Sequence, residues 1–536
     1  MADPAEPSAE LTLEPAPEAD PASRRRRAAV AGVVAAAVAL AVGELVAALL
    51  PASRSLVGVV GDAFIDGPGQ YVAKPAIAVF GTNDKVALVV GTIVVCLGLG
   101  AVVGRASLDR PAIGPAAFCG FGALGAWAAL ADPLDSSWAA VGALAATVAG
   151  IATLWALLGV VRTGRAPVAT TATIVDPADK EASRRAFLAW TGAAGTFAAV
   201  AALASRALRG PTAAQLARDD LVLPTTDGGI DLAATRSASL DVAGISPYIT
   251  PNDDFYRIDT ALVVPQVDPA SWSLSVEGLV DDPFTLSFEE LLAEPMVTEA
   301  VTLSCVSNEV GGRLVGNAVW QGVPLQRLLE RAGVRADAQQ VVGRSVDGFT
   351  VGFPIGAALD GRVALVAVGM NDEPLPVDHG FPARLVVAGL YGYVSATKWL
   401  SSIELTRWED FDAYWIPRGW SKEAPIKTQS RIDVPSRRTI PAGEQAIAGV
   451  AWAPTRGIAK VEVQIDDAEW VEARLGDVVS DDTWRQWVVT WDATPGDHEL
   501  RVRATDGDGV TQTDEREPPA PNGASGWHSR RVTVEA

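Results

Sequence analysis

Cys305 is one of three cysteines, and the other two, Cys96 and Cys119, sit in apolar runs of the N-terminal third. It follows a strand-like run, Thr298 to Leu303, and opens the loop Val306-Ser307-Asn308-Glu309-Val310-Gly311-Gly312. With no second thiol in its part of the chain, it cannot belong to an intrachain structural disulfide. It is either a small buried filler or a reactive sulfur, and local composition alone favours the filler. The histidines are three: His379, His498 and His528. Read by itself, His379 is a satisfied core histidine; joined to Cys305, it would make a Cys/His hydrolase.

The elements that must position these residues can be read from periodicity. Trp272 to Val276 alternates like a half-buried strand, and Phe288 to Ala293 reads as a short helix. Pro324 to Arg331 is an amphipathic helix with Leu325, Leu328 and Leu329 on one face. Val363 to Val368 and Leu385 to Val387 read as buried strands. From about Gln429 short alternating strands follow: Ala446 to Trp452, Lys460 to Ile465, Trp484 to Trp491 and His498 to Ala504. Turns such as Asp506-Gly507-Asp508-Gly509 separate them, the pattern of an immunoglobulin-like β-sandwich over 429–536. That Asp-Gly stretch lacks the ligand spacing of a calcium loop and reads as a turn.

The N-terminal third is different. The chain has 536 residues, a mean hydropathy of +0.21 and a formal net charge of −21. Apolar residues crowd before about residue 205, and the acidic remainder excludes nucleic acid as a partner, which would require a basic face. Residues 1–27 read as a disordered cytoplasmic tail. Apolar runs at 28–50, 86–104, 112–131, 138–161 and 186–204 approach the ~20 residues that cross a bilayer, so 28–204 is expected to hold about five transmembrane helices. Glu44 inside the first run is expected to face other helices. Arg24 to Arg27, Arg105, Arg110, Arg162, Arg165, Lys180, Arg184 and Arg185 mark the cytoplasmic loops, which puts everything after about residue 205 outside. Ser183-Arg184-Arg185-Ala186-Phe187-Leu188 matches the twin-arginine export pattern, a route for domains that fold around a cofactor before leaving the cytoplasm. Residues 205–244 read as a polar linker. No dinucleotide glycine fingerprint and no phosphate loop are present.

Several motifs together resemble the sulfite oxidase family of molybdopterin enzymes. Asn371-Asp372-Glu373-Pro374-Leu375-Pro376-Val377-Asp378-His379-Gly380-Phe381-Pro382-Ala383-Arg384 is similar to its N-G-x-P-L-P-x-x-H-G-x-P-x-R motif, and Lys398-Trp399-Leu400 to its K-W-L. Asp254-Phe255-Tyr256-Arg257 resembles the opening aromatic-Arg motif, and Cys305 with Asn308 the C-x-x-N of the metal-binding loop. Ala424 to Ser430 resembles the start of the C-terminal sandwich. The resemblance runs from about 245 to the end of the sequence. It implies a mixed α+β molybdopterin domain over 245–428 and a dimerisation-type sandwich, hence a homodimer through that domain.

The resemblance also implies a site. Cys305 would be the protein's ligand to molybdenum, since a soft thiolate suits that metal. His379 would contact the cofactor. Arg384 and Lys398, with the backbone of Gly392 to Thr397 including Ser395 and Thr397, would hold its phosphate. Asn252, Phe255, Tyr256 and Arg257 would lie over the pterin, and Asp347 would contact it. Asn308 and Tyr414 would act beside Cys305. Departures bear on substrate. Glu309 and Val310 stand where sulfite oxidases carry two arginines, Ile258 and Asp259 where they carry Asn and His, and Pro417 where their catalytic tyrosine falls, with Tyr414 and Trp415 close by. Anion capture wants positive charge, so Glu309 argues against sulfite, and the sulfoxide-reducing branch is the alternative. A non-enzymatic membrane-anchored surface protein is a further reading, disfavoured by the retained Cys305, His379, Arg384 and Lys398. A Cys/His hydrolase leaves the aromatic-Arg and Lys-Trp motifs unexplained. Because none of the histidines lies in an apolar run, haem is not expected in the spans, and electrons should pass to a separate partner.

Overall fold

The structure, a computed structural model, describes residues 21–50, 54–66, 84–132, 134, 138–163, 178–208, 210–230 and 232–536. The chain divides into two compact units, Met1–Gly210 and Pro211–Ala536.

The first unit is helical: α1 (Pro21–Leu49), α2 (Leu56–Asp66), α3 (Asp84–Asp109), α4 (Ile113–Ala131), α5 (Ala139–Thr163) and α6 (Ala178–Leu208). All except α2 are long and apolar enough to cross a membrane. The helix α1 packs against α3, α5 and α6. Its crossing with α3 is made by glycine: a Cβ on Gly32 would lie 1.9 Å from the carbonyl oxygen of Gly100, so only glycine lets the two backbones meet. The helix starts at Pro21, where a missing N–H costs nothing, so Arg24 to Arg27 form its first turns rather than the end of a tail. Residues 1–20 of that expected tail lie outside the described residues, as do the side chains of Ser183 and Arg184 in the twin-arginine pattern. Glu44 accepts hydrogen bonds from the Ser55 hydroxyl at 2.7 Å and the Val57 amide at 3.4 Å, which ties α1 to the start of α2. Arg54, beside that start, pairs with Asp62 at 2.8 Å and with Asp132.

In the second unit the expected linker is part of the fold. Thr212 and Gln215 form a reciprocal cap on the helix Ala213–Asp220, and Arg218 donates to the Leu375 carbonyl at 3.0 Å. Gly228–Gly229 pairs in parallel with Val297 and Thr298. Backbone pairing and a capping box were stronger than the polar composition that suggested a linker. Two sheets follow. One has the order Gly228–Gly229, Val297–Ser304, Val315–Pro324, Ala364–Met370, Arg384–Val387, with Glu373–Pro374 appended. The other runs Phe284–Ser287, Ser273–Gly278, Leu400–Thr406, Gln340–Ser345, Thr350–Pro354. Helices form at Phe288–Ala293 and Leu325–Ala332, the latter burying Leu325, Leu328 and Leu329 as its periodicity requires.

From Gln429 two further antiparallel-rich sheets, of four and five strands, face one another around Ile447, Val461, Val463, Trp487, Leu500 and Val502. Asp506 to Val510 is the tight turn expected, with the Asp506 carboxylate accepting from the Val510 amide at 2.9 Å. This β-rich region is not independent of what precedes it. Trp452 and Trp484 belong to the same buried core as Leu303 and Trp320. The Trp484 amide donates to the Thr302 hydroxyl at 2.7 Å, and the Tyr248 hydroxyl to Thr483 at 2.8 Å.

Candidate functional site

The strand Val297–Ser304 delivers Cys305 to its C-terminal end, where the loop turns at once. The Asn308 amide donates to the Cys305 carbonyl at 3.0 Å and the Cys305 amide to the Leu314 carbonyl at 2.9 Å. The Asn308 side chain closes the loop by accepting from the Leu314 amide at 2.8 Å. Arg431, on the first strand of the β-rich region, braces the far end by donating to the Gly312 carbonyl at 2.8 Å. The Ser307 amide points at the cysteine sulfur, 3.4 Å away. Cys305 is 8% exposed. Burial pushes its thiol up, and the Ser307 N–H acts in the opposite direction.

Residues 371–384 wrap a second wall. Asn371, at a φ of 53°, donates to the Thr250 carbonyl and to the Asn252 side chain, pinning the aromatic-Arg segment against the sheet. His379 ends a short 3₁₀ turn, and its Nε2 lies 3.0 Å from the Asn252 carbonyl. A carbonyl only accepts, so Nε2 carries the proton. Burial and the Arg384 charge hold His379 down to about 4, so the ring is neutral near pH 7 and its Nδ1 is an acceptor. Gly380 sits at a φ of +114°, and a Cβ there would come within 3.0 Å of Lys398 and 3.2 Å of Arg384, so glycine lets those two side chains share one corner.

Arg384 opens the strand Arg384–Val387 and is buried. It donates to the His379 carbonyl at 3.1 Å and stacks 4.9 Å from the Trp320 ring. Among the described residues no carboxylate forms an ion pair with it, and burial lowers it to about 10. Lys398 differs. Its ammonium pairs with Asp259 at 2.6 Å and donates to the Asp378 carbonyl at 2.9 Å. Burial brings it down to about 8 against the opposing pull of Asp259.

These walls border one cavity, open at its mouth. Of the expected residues, Phe255, Tyr256, Cys305, Asp347, His379, Arg384 and Lys398 line it. Six others do not. Asn252 and Asn308 act behind the lining, on His379 and on the cysteine loop. Arg257 is exposed and turns to Asp259 at 3.1 Å. The Ser395 hydroxyl is used on the Leu390 and Tyr391 carbonyls, and Thr397 is buried between strands beside Gly343. Tyr414 packs on Phe349 and under Arg418, while its neighbour Trp415 reaches the cavity. Asp259, Tyr393, Trp399 and Trp415 are also among the lining residues. Trp399 was announced by the Lys-Trp motif, whereas Trp415 carried no signal beyond its neighbourhood to Tyr414.

The donors fit a molybdenum–pterin cofactor. A soft sulfur faces the cavity. A buried guanidinium without a carboxylate faces the same space and suits a phosphate. The comparisons agree. Residues 261–415 match the family described as oxidoreductase molybdopterin binding domain. The uncharacterized oxidoreductase YuiH of Bacillus subtilis is 38% identical over 153 residues, which is 28% of this chain and 74% of that protein. Sulfite oxidase of Arabidopsis thaliana is 31% identical, covering 43% of this chain and 70% of the relative. Mitochondrial sulfite oxidase of Rattus norvegicus is 30% identical over 42% of this chain, and the match spans about half of that protein, 49%. The chain belongs to the sulfite oxidase family of molybdopterin-dependent oxidoreductases.

Proposed function

We propose that the chain is a membrane-anchored oxidoreductase of the oxygen-atom-transfer type, with residues 211–536 on the extracytoplasmic side. One observation carries the chemistry: Cys305, from one loop, and His379, Arg384 and Lys398, from a later stretch of the chain, line a single cavity. When bound there, the molybdenum centre supplies a two-electron change coupled to the movement of one oxygen atom. Cys305 would hold the metal as thiolate, and metal binding would overcome the burial that keeps the thiol protonated. Arg384 would take the phosphate, and neutral His379 would offer Nδ1 to the pterin. Tyr256, held protonated by burial, would donate from its hydroxyl.

Anchoring rests on five apolar helices and on the arginines that flank them. The Ser-Arg-Arg-x-Phe-Leu pattern supports export of a folded, cofactor-loaded domain. Electrons would pass to a separate redox partner, with no haem in this chain. The β-rich region would be an immunoglobulin-like sandwich that mediates a homodimer. A sulfoxide-reducing reaction is the second reading, favoured over sulfite oxidation by exposed Glu309 and by Val310 beside the cysteine loop.

The test is metal and pterin analysis of the purified full-length protein, followed by a screen of sulfite against sulfoxides. About one molybdenum and one pterin per chain is expected. A protein that matures in a molybdenum-replete host and carries neither would overturn the reading.

A further inference from the structure

The cavity lining balances its own charge. Asp259 and Asp347 oppose Arg384 and Lys398, and His379 is neutral. Asp259 is placed to do more than balance. It lies on the segment after the aromatic-Arg motif, and its carboxylate reaches Lys398 at 2.6 Å and Arg257 at 3.1 Å. The Lys398 and Asp259 side chains are 8% and 6% exposed, so solvent screens the pair little. Once Arg384 is committed to a cofactor phosphate, the remaining cations at the mouth, Lys398 and Arg257, both lean on Asp259, and with Asp347 the two carboxylates match them in number. A small oxyanion entering this space would meet no net positive charge, and Asp259 itself would repel it.

We propose that Asp259 is a specificity-determining residue that closes the cavity to small oxyanions and leaves it to substrates without negative charge. The proposal rests on the reading of this cavity as the molybdopterin site and names the substrate class of that site. Asp259 acts through charge at the cavity wall. Its removal would leave Lys398 free to bind an anion. One unit charge within about 5 Å of a bound ion is worth at least roughly tenfold in affinity at the effective dielectric of a protein site.

The experiment is calorimetric titration of sulfate into the molybdenum-loaded full-length protein, with ionic strength held constant by sodium chloride. The wild type should show no saturable binding at millimolar sulfate. Asp259→Asn should bind sulfate saturably, with a dissociation constant at least about tenfold below the limit the wild-type titration sets. Asp259→Glu should behave as the wild type, because it keeps the charge. Asp259→Asn leaves a buried ammonium unpaired and could fail to fold. Molybdenum content and the unfolding midpoint therefore establish that each variant is folded and loaded, and Asp259→His, the residue sulfite oxidases place at this point of the motif, is the second variant and should gain sulfate affinity in the same direction. Loaded Asp259→Asn or Asp259→His protein that binds sulfate no better than the wild type would overturn the proposal, as would a wild type that already saturates. If both variants lose molybdenum while the wild type retains it, Asp259 is a structural requirement of the site and the proposal also falls. A wild type without molybdenum instead sinks the cofactor reading and is told apart by metal analysis alone.

Discussion

The Arg384 side and the Lys398 side of the cavity present two buried cations that share the corner at Gly380. Lys398 has its counter-charge built into the protein, Asp259 at 2.6 Å. Arg384 has two carbonyls, of His379 and Leu385, and the Trp320 indole face among its described contacts, and no carboxylate. Burying a charge without a partner costs several kcal/mol, so a fold that tolerates it is shaped for a ligand that supplies the missing anion. The two sides therefore differ in kind. One is a receptor for something not made of protein, and the other is a closed account of protein charges.

The largest effect should come from the receptor side. Arg384→Met should lower the molybdenum content of the purified protein about tenfold or more, the loss expected for a charge-assisted contact worth about 1.5–3 kcal/mol. Metal analysis against the wild type checks it. In protein matured without molybdenum, the same substitution should leave thermal stability unchanged or raise it, because it removes an unpaired buried charge.

Asp259→Asn should show the opposite sign. It strips Lys398 of its partner and should destabilise the protein matured without molybdenum by about 3–5 kcal/mol. Denaturant unfolding followed by tryptophan fluorescence separates the two outcomes. Equal effects from both substitutions would erase the distinction drawn here.

A smaller effect sharpens the comparison through pH. Unfolded, Lys398 keeps its proton to about 10.5; folded, it gives it up near 8. Between these values the unfolded chain binds more protons, so stability should rise with pH, by at most about 3 kcal/mol. Lys398→Met should flatten that rise, measured as unfolding midpoints from pH 7.5 to 10.5. A slope that survives the substitution belongs to other groups.

Much of this was legible in the sequence where the signal is local. The leucine spacing of 325–329 reports a helix face, and Phe288 to Ala293 is bounded by the Ser287–Glu290 cap that fixes its start. Cys305 at the end of a strand follows from the apolar run before it. What stayed hidden depends on pairs far apart in the chain. The Asp259–Lys398 contact spans 139 residues, and no periodicity announces it. Trp415 rather than Tyr414 lines the cavity because the segment after Thr406 is irregular, and alternation fixes side-chain direction only within a strand. The stretch after Pro211 was misread as a linker because its composition is polar. Its order comes from Gly228–Gly229 pairing with a strand nearly seventy residues on. The helix α2, only 11 residues long, is too short to give the length signal that marks the spans.

The central claim is that Cys305 is the protein's sulfur ligand to molybdenum. X-ray absorption at the molybdenum edge tests it on the full-length protein, wild type beside Cys305→Ser. The predicted result is a molybdenum centre in both, with one sulfur scatterer fewer in the variant and an oxygen in its place. An unchanged sulfur count in a loaded Cys305→Ser protein would contradict the account.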